Sequence, residues 1–104
     1  MVMWFNVKEA REQLLKDQVV YSLRPKRRKR EGHEILMFNG FGKKGDLNVE
    51  FLMEVEKDSD IPEICVEMSG FSSMEDWRKA AKDGRFLYRV ELLSLADKQT
   101  EDPK

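Results

Sequence analysis

Six cations lie within seven consecutive positions of the chain, and phosphate binding is the chemistry that suits them. The run begins at Arg24, passes Pro25 and continues through Lys26, Arg27, Arg28, Lys29 and Arg30. Lysine and arginine gain affinity for polyanions by releasing counterions, and arginine also binds phosphate through two parallel N–H groups. A solvated loop without a partner is the alternative. Because like charges repel, a run of this density favours a polyanion site.

Other residues are candidates for the same interface. The candidate cations are Lys43, Lys44, Arg78 and Arg85, and the candidate stacking platforms for bases are Phe41 and Trp77. An aromatic ring that stacks on a base contributes about 1–3 kcal/mol per base. Helical spacing also allows a core position for Trp77. The glycine-rich residues 39–46 lack the Lys-Ser/Thr ending of a P-loop, so they are interpreted as a hairpin turn.

Catalytic and metal-binding sets are incomplete in this sequence. His33 is the only histidine and Cys65 the only cysteine, which argues against a zinc site. The acidic residues between positions 50 and 67 lack EF-hand spacing. We therefore predict no catalytic residue, no metal and no cofactor, and we favour binding over enzymatic activity.

Charge is divided unevenly along the chain. The net charge is −1, but residues 1–44 carry +6 and residues 45–104 carry −7. A basic half favours polyanions such as RNA, with DNA as a further possibility. A lone cysteine and the lack of a long apolar run predict a cytoplasmic protein without a membrane partner. The length predicts one domain at residues 1–94 with a flexible tail at 95–104, and a monomer is favoured.

The predicted elements place the basic run at the end of a strand. A helix over residues 7–16, with Asn6 and Glu9 as a capping box, leads into a strand that ends at Arg24. Residues 1–5 form either a first strand or the staple before that helix. Further strands are predicted at residues 34–38, 47–55, 64–68 and 86–93. A second helix containing Trp77 begins at Ser72 or Ser73. This order predicts an α+β, mostly β protein: a small, mainly antiparallel barrel with two packed helices.

Over nearly all of residues 5–93 the chain resembles the ASCH domain family of the PUA-like superfamily of small β-barrels. Three features carry the resemblance. A helix leads into a strand that ends in Leu23-Arg24, and Gly32 precedes the following strands. The third feature is Ser-Gly-Phe-Ser-Ser at residues 69–73, which opens the helix with Trp77 before the closing strand.

The resemblance implies an RNA-binding or RNA-associated module with a cleft between the barrel and the first helix, lined by Arg24. A few similar proteins are amidohydrolases of modified nucleosides that use a lysine and the next threonine. Val19 and Val20 occupy those positions here, so that activity is not carried over. A hydrolase acting on RNA or a modified nucleoside through another base, such as His33, Glu34 or a carboxylate of residues 47–55, is the alternative. A protein-interaction module whose charged halves pair between copies is a further one.

We predict that replacing Arg27, Arg28 and Arg30 together by glutamine weakens RNA binding and flattens its salt dependence, because fewer counterions are released. A salt-titrated binding assay measures both quantities. Unchanged affinity and an unchanged salt slope would remove this run of cations from the interface.

Overall fold

The chain folds as an α+β protein in which strands and helices follow one another closely. The computed structural model describes residues 2–5, 7–27, 32–37 and 45–95. The strands are β1 (Val2–Trp4), β2 (Val19–Arg24), β3 (Gly32–Met37), β4 (Gly45–Glu54) and β5 (Phe86–Leu95). The helices are α1 (Lys8–Asp17), α2 (Glu63–Glu67) and α3 (Met74–Ala81), and a 3-10 turn lies at Asp58–Asp60.

The five strands form one sheet in the order β1-β3-β4-β5-β2. Four of them pair in antiparallel fashion, and β1 joins the edge in parallel with β3. The alternating apolar residues of β4 and the apolar run of β5 suit long strands, and β4–β5 is the longest pairing in the sheet. The predicted mainly antiparallel α+β class is therefore confirmed.

Side-chain alternation along the strands divides the core into two clusters. One contains Val20, Tyr88 and Val90 and is covered by Leu14 of α1. The other contains Leu23 and Leu87, which point to the opposite face of the sheet, and is covered by Cys65 of α2 and Trp77 of α3. The sheet is thus the middle layer between α1 and the α2–α3 pair.

Two bulges curl the β4–β5 ribbon. The register shifts between Asp46 and Leu47 and again between Phe51 and Met53, which leaves Leu93 and Leu52 as the extra residues. Bulges increase local twist. Nevertheless, the described strands do not close into the expected barrel, because β1 and β2 lie at the two ends of the strand order and do not pair with each other.

Helix α1 begins one residue later than predicted. Val7 is the N-cap and its side chain makes no capping hydrogen bond. The predicted capping box involves Asn6, which lies outside the described residues. At the other end Gln18 takes a left-handed conformation with φ of 67°, and its N–H bonds to the Leu14 carbonyl. The chain therefore turns directly from α1 into β2.

The predicted short strand at residues 64–68 is instead helix α2 (Glu63–Glu67), with Met68 as its C-cap. Pro62 occupies the N-cap, and Glu63 lies in the first turn, where an acidic residue suits the helix dipole. The Met68 N–H bonds to the Ile64 carbonyl. A short apolar run does not distinguish strand from helix by periodicity, and here the preceding proline starts a helical turn.

Helix α3 confirms one of the two predicted caps. The Ser73 hydroxyl accepts a hydrogen bond from the Asp76 backbone N–H at 3.1 Å. Ser72 donates instead to the Asp76 carboxylate at 3.0 Å. The predicted glycine-rich turn lies mostly, and the predicted tail almost entirely, outside the described residues, since β5 continues to Leu95.

A tight backbone contact fixes α1 against the loop before α3. Gly70 has φ of +95°, and a Cβ at this position would collide with the backbone carbonyl of Glu9 in the first turn of α1. Ser69 braces the same loop, because its hydroxyl donates to the Val66 carbonyl at 2.7 Å and accepts from the Phe71 N–H at 3.1 Å. Both the conformation and the close approach require glycine.

We predict that Gly70→Ala destabilises the fold more than Gly32→Ala. Gly32 also has a positive φ, at +100°, but a Cβ there would meet nothing within 4 Å. Gly32→Ala therefore adds backbone strain of about 1–3 kcal/mol. Gly70→Ala adds the same strain and a steric clash, which costs roughly a further 1–3 kcal/mol. Denaturant unfolding of both variants measures the difference, and equal losses would contradict the proposed contact.

Candidate nucleic-acid interface

A cleft of about 280 Å³ opens along β2, between the start of α1 and the end of α3. Its walls are mainly apolar. The lining residues are Phe5, Val7, Ala10, Tyr21, Ser22, Leu23, Arg24, Pro25, Phe71, Trp77, Ala80 and Ala81. The cleft is large enough for part of a ligand the size of a nucleotide, and its few polar groups are concentrated on β2.

The cleft follows β2 because β2 is an edge strand. Its residues pair with β5 on one side only. On the other side, the Tyr21 N–H donates to the Met68 carbonyl at 3.0 Å, and the Val19 carbonyl accepts from Gln13 Nε2 at 3.2 Å. Antiparallel pairing alternates, so the Leu23 N–H also points away from β5, toward the cleft.

Arg24 lies at the end of β2 and lines the cleft, as the sequence resemblance implies. Its Nε donates to the Ser22 hydroxyl at 2.7 Å, and its guanidinium carbon lies 4.9 Å from the centroid of the Phe5 ring. A cation over an aromatic face is attracted by the ring quadrupole. These two contacts orient the guanidinium before any ligand arrives.

Trp77 is a core residue rather than an exposed stacking platform. Its side chain is only 3% exposed and belongs to the cluster with Leu23 and Leu87. It still lines the cleft, but as part of a wall that is packed from behind. Phe71 is half-buried beside it and is held by the braced loop at Ser69 and Gly70. The stacking role predicted for Trp77 is therefore corrected to that of a cleft wall.

Arg78 belongs to a structural clamp away from the cleft. Its Nε and Nη2 donate to the Asp58 carboxylate, with the shortest distance, 2.7 Å, between Nη2 and Oδ1. Its Nη1 donates to the carbonyls of Lys82 and Gly84, both at 2.8 Å. The fold itself uses these donors, so Arg78 has a structural role, and its predicted ligand contact stays a prediction.

Arg85 does not line the cleft either. It is exposed and borders a second concavity together with Arg78, Glu56, Asp58 and Asp83. Its backbone N–H donates to the Arg24 carbonyl at 3.0 Å, so only its backbone connects it to the candidate site. The mixed charges of this concavity suit a phosphate less well than a purely basic surface does.

The described part of the basic run is exposed next to the cleft. Lys26 and Arg27 are both exposed, and the Arg27 guanidinium carbon lies 3.8 Å from the centroid of the Phe51 ring. The remaining predicted site residues, namely Arg28, Lys29, Arg30, Phe41, Lys43 and Lys44, lie outside the described residues.

Neither His33 nor Glu34, which the hydrolase alternative named as possible bases, lines the cleft. His33 is 62% exposed and its Nε2 lies 2.8 Å from Asp46 Oδ1, while Ser94 donates to the other oxygen of the same carboxylate at 2.8 Å. Glu34 is 1% exposed on β3, opposite Leu47.

Burial raises the pKa of the Cys65 thiol, which lowers its reactivity. No group of three potential metal ligands occurs among the residues that the structure describes.

Phe5, Ser22 and Phe51 contact the two arginines, and none of the three is a predicted site residue. Phe5 belongs to a short apolar run at the start of the chain, and alternation places Phe51 on a buried strand face. No local pattern shows that Phe5 comes to lie beside Arg24, since the contact requires β1 to join the sheet next to β3. Arg27 itself is a predicted site residue, because it belongs to the basic run that follows Pro25.

Comparison with protein-family models, curated proteins and solved structures returned no match for this chain. In the part of the chain that the structure describes, no helix has the length and apolar character needed to cross a bilayer.

We predict that Arg78→Gln reduces stability without weakening nucleic-acid binding. The variant loses charge-assisted hydrogen bonds to Asp58, which lowers the free energy of unfolding by about 1–3 kcal/mol. Thermal unfolding and an RNA-binding titration below the unfolding temperature measure the two effects. Weaker binding by the folded variant would indicate that Arg78 contacts the nucleic acid.

Proposed function

We propose that this protein is an ASCH-type, PUA-like module that binds RNA through the cleft along β2. Arg24 would contact the ligand inside the cleft, and Lys26 to Arg30 would form a basic rim for the phosphate backbone. The role is positional and electrostatic, and no covalent bond is broken. Cys65 is a single buried thiol, which fits a reducing compartment, and we propose the cytosol as its location.

The observation that carries this proposal is the placement of Arg24. Its guanidinium lies over Phe5, its Nε is directed to Ser22, and its side chain lines a mainly apolar cleft. An apolar cleft with one oriented cation suits a ligand that is both flat and anionic, which describes a nucleotide. Single-stranded RNA presents unstacked bases next to phosphates and therefore matches both properties.

The proposal also includes a PUA-like architecture for the sheet. The two ends of the strand order approach each other through side chains, since Arg24 at the end of β2 lies over Phe5, which follows β1. Phe5 also extends β1, because its N–H donates to the Met37 carbonyl at 2.9 Å. A strongly curled sheet whose ends meet in this way is consistent with an incomplete barrel of the PUA-like kind.

Binding is favoured over hydrolysis in this cleft. Among the described residues that line it, none is a carboxylate, a histidine or a lysine. Val20 is fully buried in the core, so the position that carries a catalytic threonine in the amidohydrolases is a packing position here. General acid–base catalysis needs a titratable group within hydrogen-bond reach of the substrate. We therefore assign the cleft to recognition.

We predict that the protein binds single-stranded RNA with an affinity that falls as salt rises, and that Arg24→Gln weakens this binding by about 1–3 kcal/mol. Fluorescence anisotropy over a series of KCl concentrations, with single-stranded RNA, duplex RNA, tRNA and DNA as separate ligands, measures both effects.

Arg78→Gln is the matched control, since it removes the same charge at a site away from the cleft. Equal losses for the two variants would indicate a general charge effect. If the unaltered protein bound none of the four nucleic acids, the proposed function would be wrong.

A further inference from the structure

Arg27 and Phe51 form a stacked pair at the exit of β2. The guanidinium carbon lies 3.8 Å from the ring centroid, close enough for face-to-face contact. Phe51 is itself held by two neighbouring rings on β5. The centroid of Tyr88 lies 5.4 Å away in an edge arrangement, and the centroid of Phe86 lies 6.4 Å away. Tyr88 is completely buried, so the ring beneath Arg27 is anchored in the core.

Stacking and phosphate binding use different parts of a guanidinium. A ring contacts the flat face of the group, whereas its N–H donors point outward in the plane. A ring contact on the flat face therefore restricts the plane of the guanidinium, and the plane sets the directions in which its N–H donors point. Fixing the plane in advance also reduces the side-chain entropy that is lost when a ligand binds.

The strand register places this pair in the row of residues next to Arg24. Ser22 lies opposite Tyr88, and Tyr88 lies opposite Phe51. Arg24 lies opposite Phe86, one row further along the same face. The chain bends at Pro25, immediately after Arg24, and the guanidinium of Arg27 lies over the Phe51 ring. Two guanidiniums, each over a phenylalanine ring, thus lie at the same end of the sheet.

We propose that Phe51 is a positioning residue that holds Arg27 ready to bind a backbone phosphodiester of single-stranded RNA whose neighbouring nucleotide contacts Arg24. This inference rests on the proposed function, because it assigns a second contact of the same ligand. Phe51 acts through Arg27 and does not touch the RNA.

A double-mutant cycle tests the proposal with an RNA oligonucleotide in the salt-titrated assay. The variants are Arg27→Gln, Phe51→Leu and their combination. Arg27→Gln lowers affinity and reduces the salt slope by about one, as expected for one lost phosphate contact. Phe51→Leu keeps the charge and lowers affinity by about two- to fivefold, the range for an exposed cation–π contact. In the Arg27→Gln background Phe51→Leu has no further effect.

Phe51→Tyr keeps the ring face and retains the affinity of the unaltered protein. Equal losses from Phe51→Leu with and without Arg27 would overturn the proposal, because Phe51 would then act through the fold. If Phe51→Leu does not fold, Arg27→Lys replaces it as the test. This variant keeps the charge and lacks the planar fork, so it binds more weakly than arginine, and full affinity would overturn the proposal.

Two further ligands separate this inference from the proposed function. Inorganic phosphate and a single nucleotide bind much more weakly than the oligonucleotide if the two arginines contact neighbouring positions of one strand, and equal affinities would contradict the inference. If the unaltered protein binds RNA and Arg24→Gln weakens it while Phe51→Leu does not, the inference fails and the proposed function stands. If the unaltered protein binds no RNA, both fail.

Discussion

The cleft depends on β2 packing against different helices on its two faces. Val20 packs in the cluster that α1 covers, while Leu23 packs with Trp77 of α3. Two backbone groups on the unpaired edge of β2 have hydrogen-bond partners. Gln13 Nε2 donates to the Val19 carbonyl, and the Tyr21 N–H donates to the Met68 carbonyl. An unprotected edge strand invites pairing with other chains. Here helix and loop groups cover the first half of the edge, and the second half becomes the floor of the cleft.

Arg24 and Arg78 have the same type of side chain in two different environments. Arg78 lies beside an acidic partner and two carbonyls, so its donors bind Asp58, Lys82 and Gly84 and join α3 to the 3-10 turn. Arg24 has an aromatic ring beneath its guanidinium and a hydroxyl at its Nε. The Phe5 ring orients the guanidinium of Arg24 through its quadrupole, whereas the Asp58 carboxylate compensates the charge of Arg78. Arg24 lines the cleft, and Arg78 joins parts of the fold.

The sequence predicted those parts of the fold that repeat a local pattern. Strict alternation identified β4, and the serine cap before Trp77 identified the start of α3. The strand predicted at residues 64–68 was wrong because so short an apolar run suits both the strand period and the helix period. The helix begins after Pro62, which is its N-cap. Barrel closure and the pairing of Phe5 with Arg24 depend on contacts between distant residues. Arg24 was predictable as a candidate site residue because it ends an apolar strand and precedes a proline.

In the proposed function, preorganisation compensates for the small size of the cleft and for its few polar groups. Each long cation that must be ordered on binding costs side-chain entropy, and the loss offsets much of the electrostatic gain. Arg24 and Arg27 lie over rings that are themselves fixed, Phe5 by the β1–β3 edge and Phe51 by Tyr88. In the proposed complex, Phe5 and Phe51 thus contribute to affinity by orienting the two cations. Because Phe5 follows β1 at one edge of the sheet and Phe51 lies on β4, the curl of the sheet sets the spacing between the two cations. We propose that this spacing selects the ligands that can reach both.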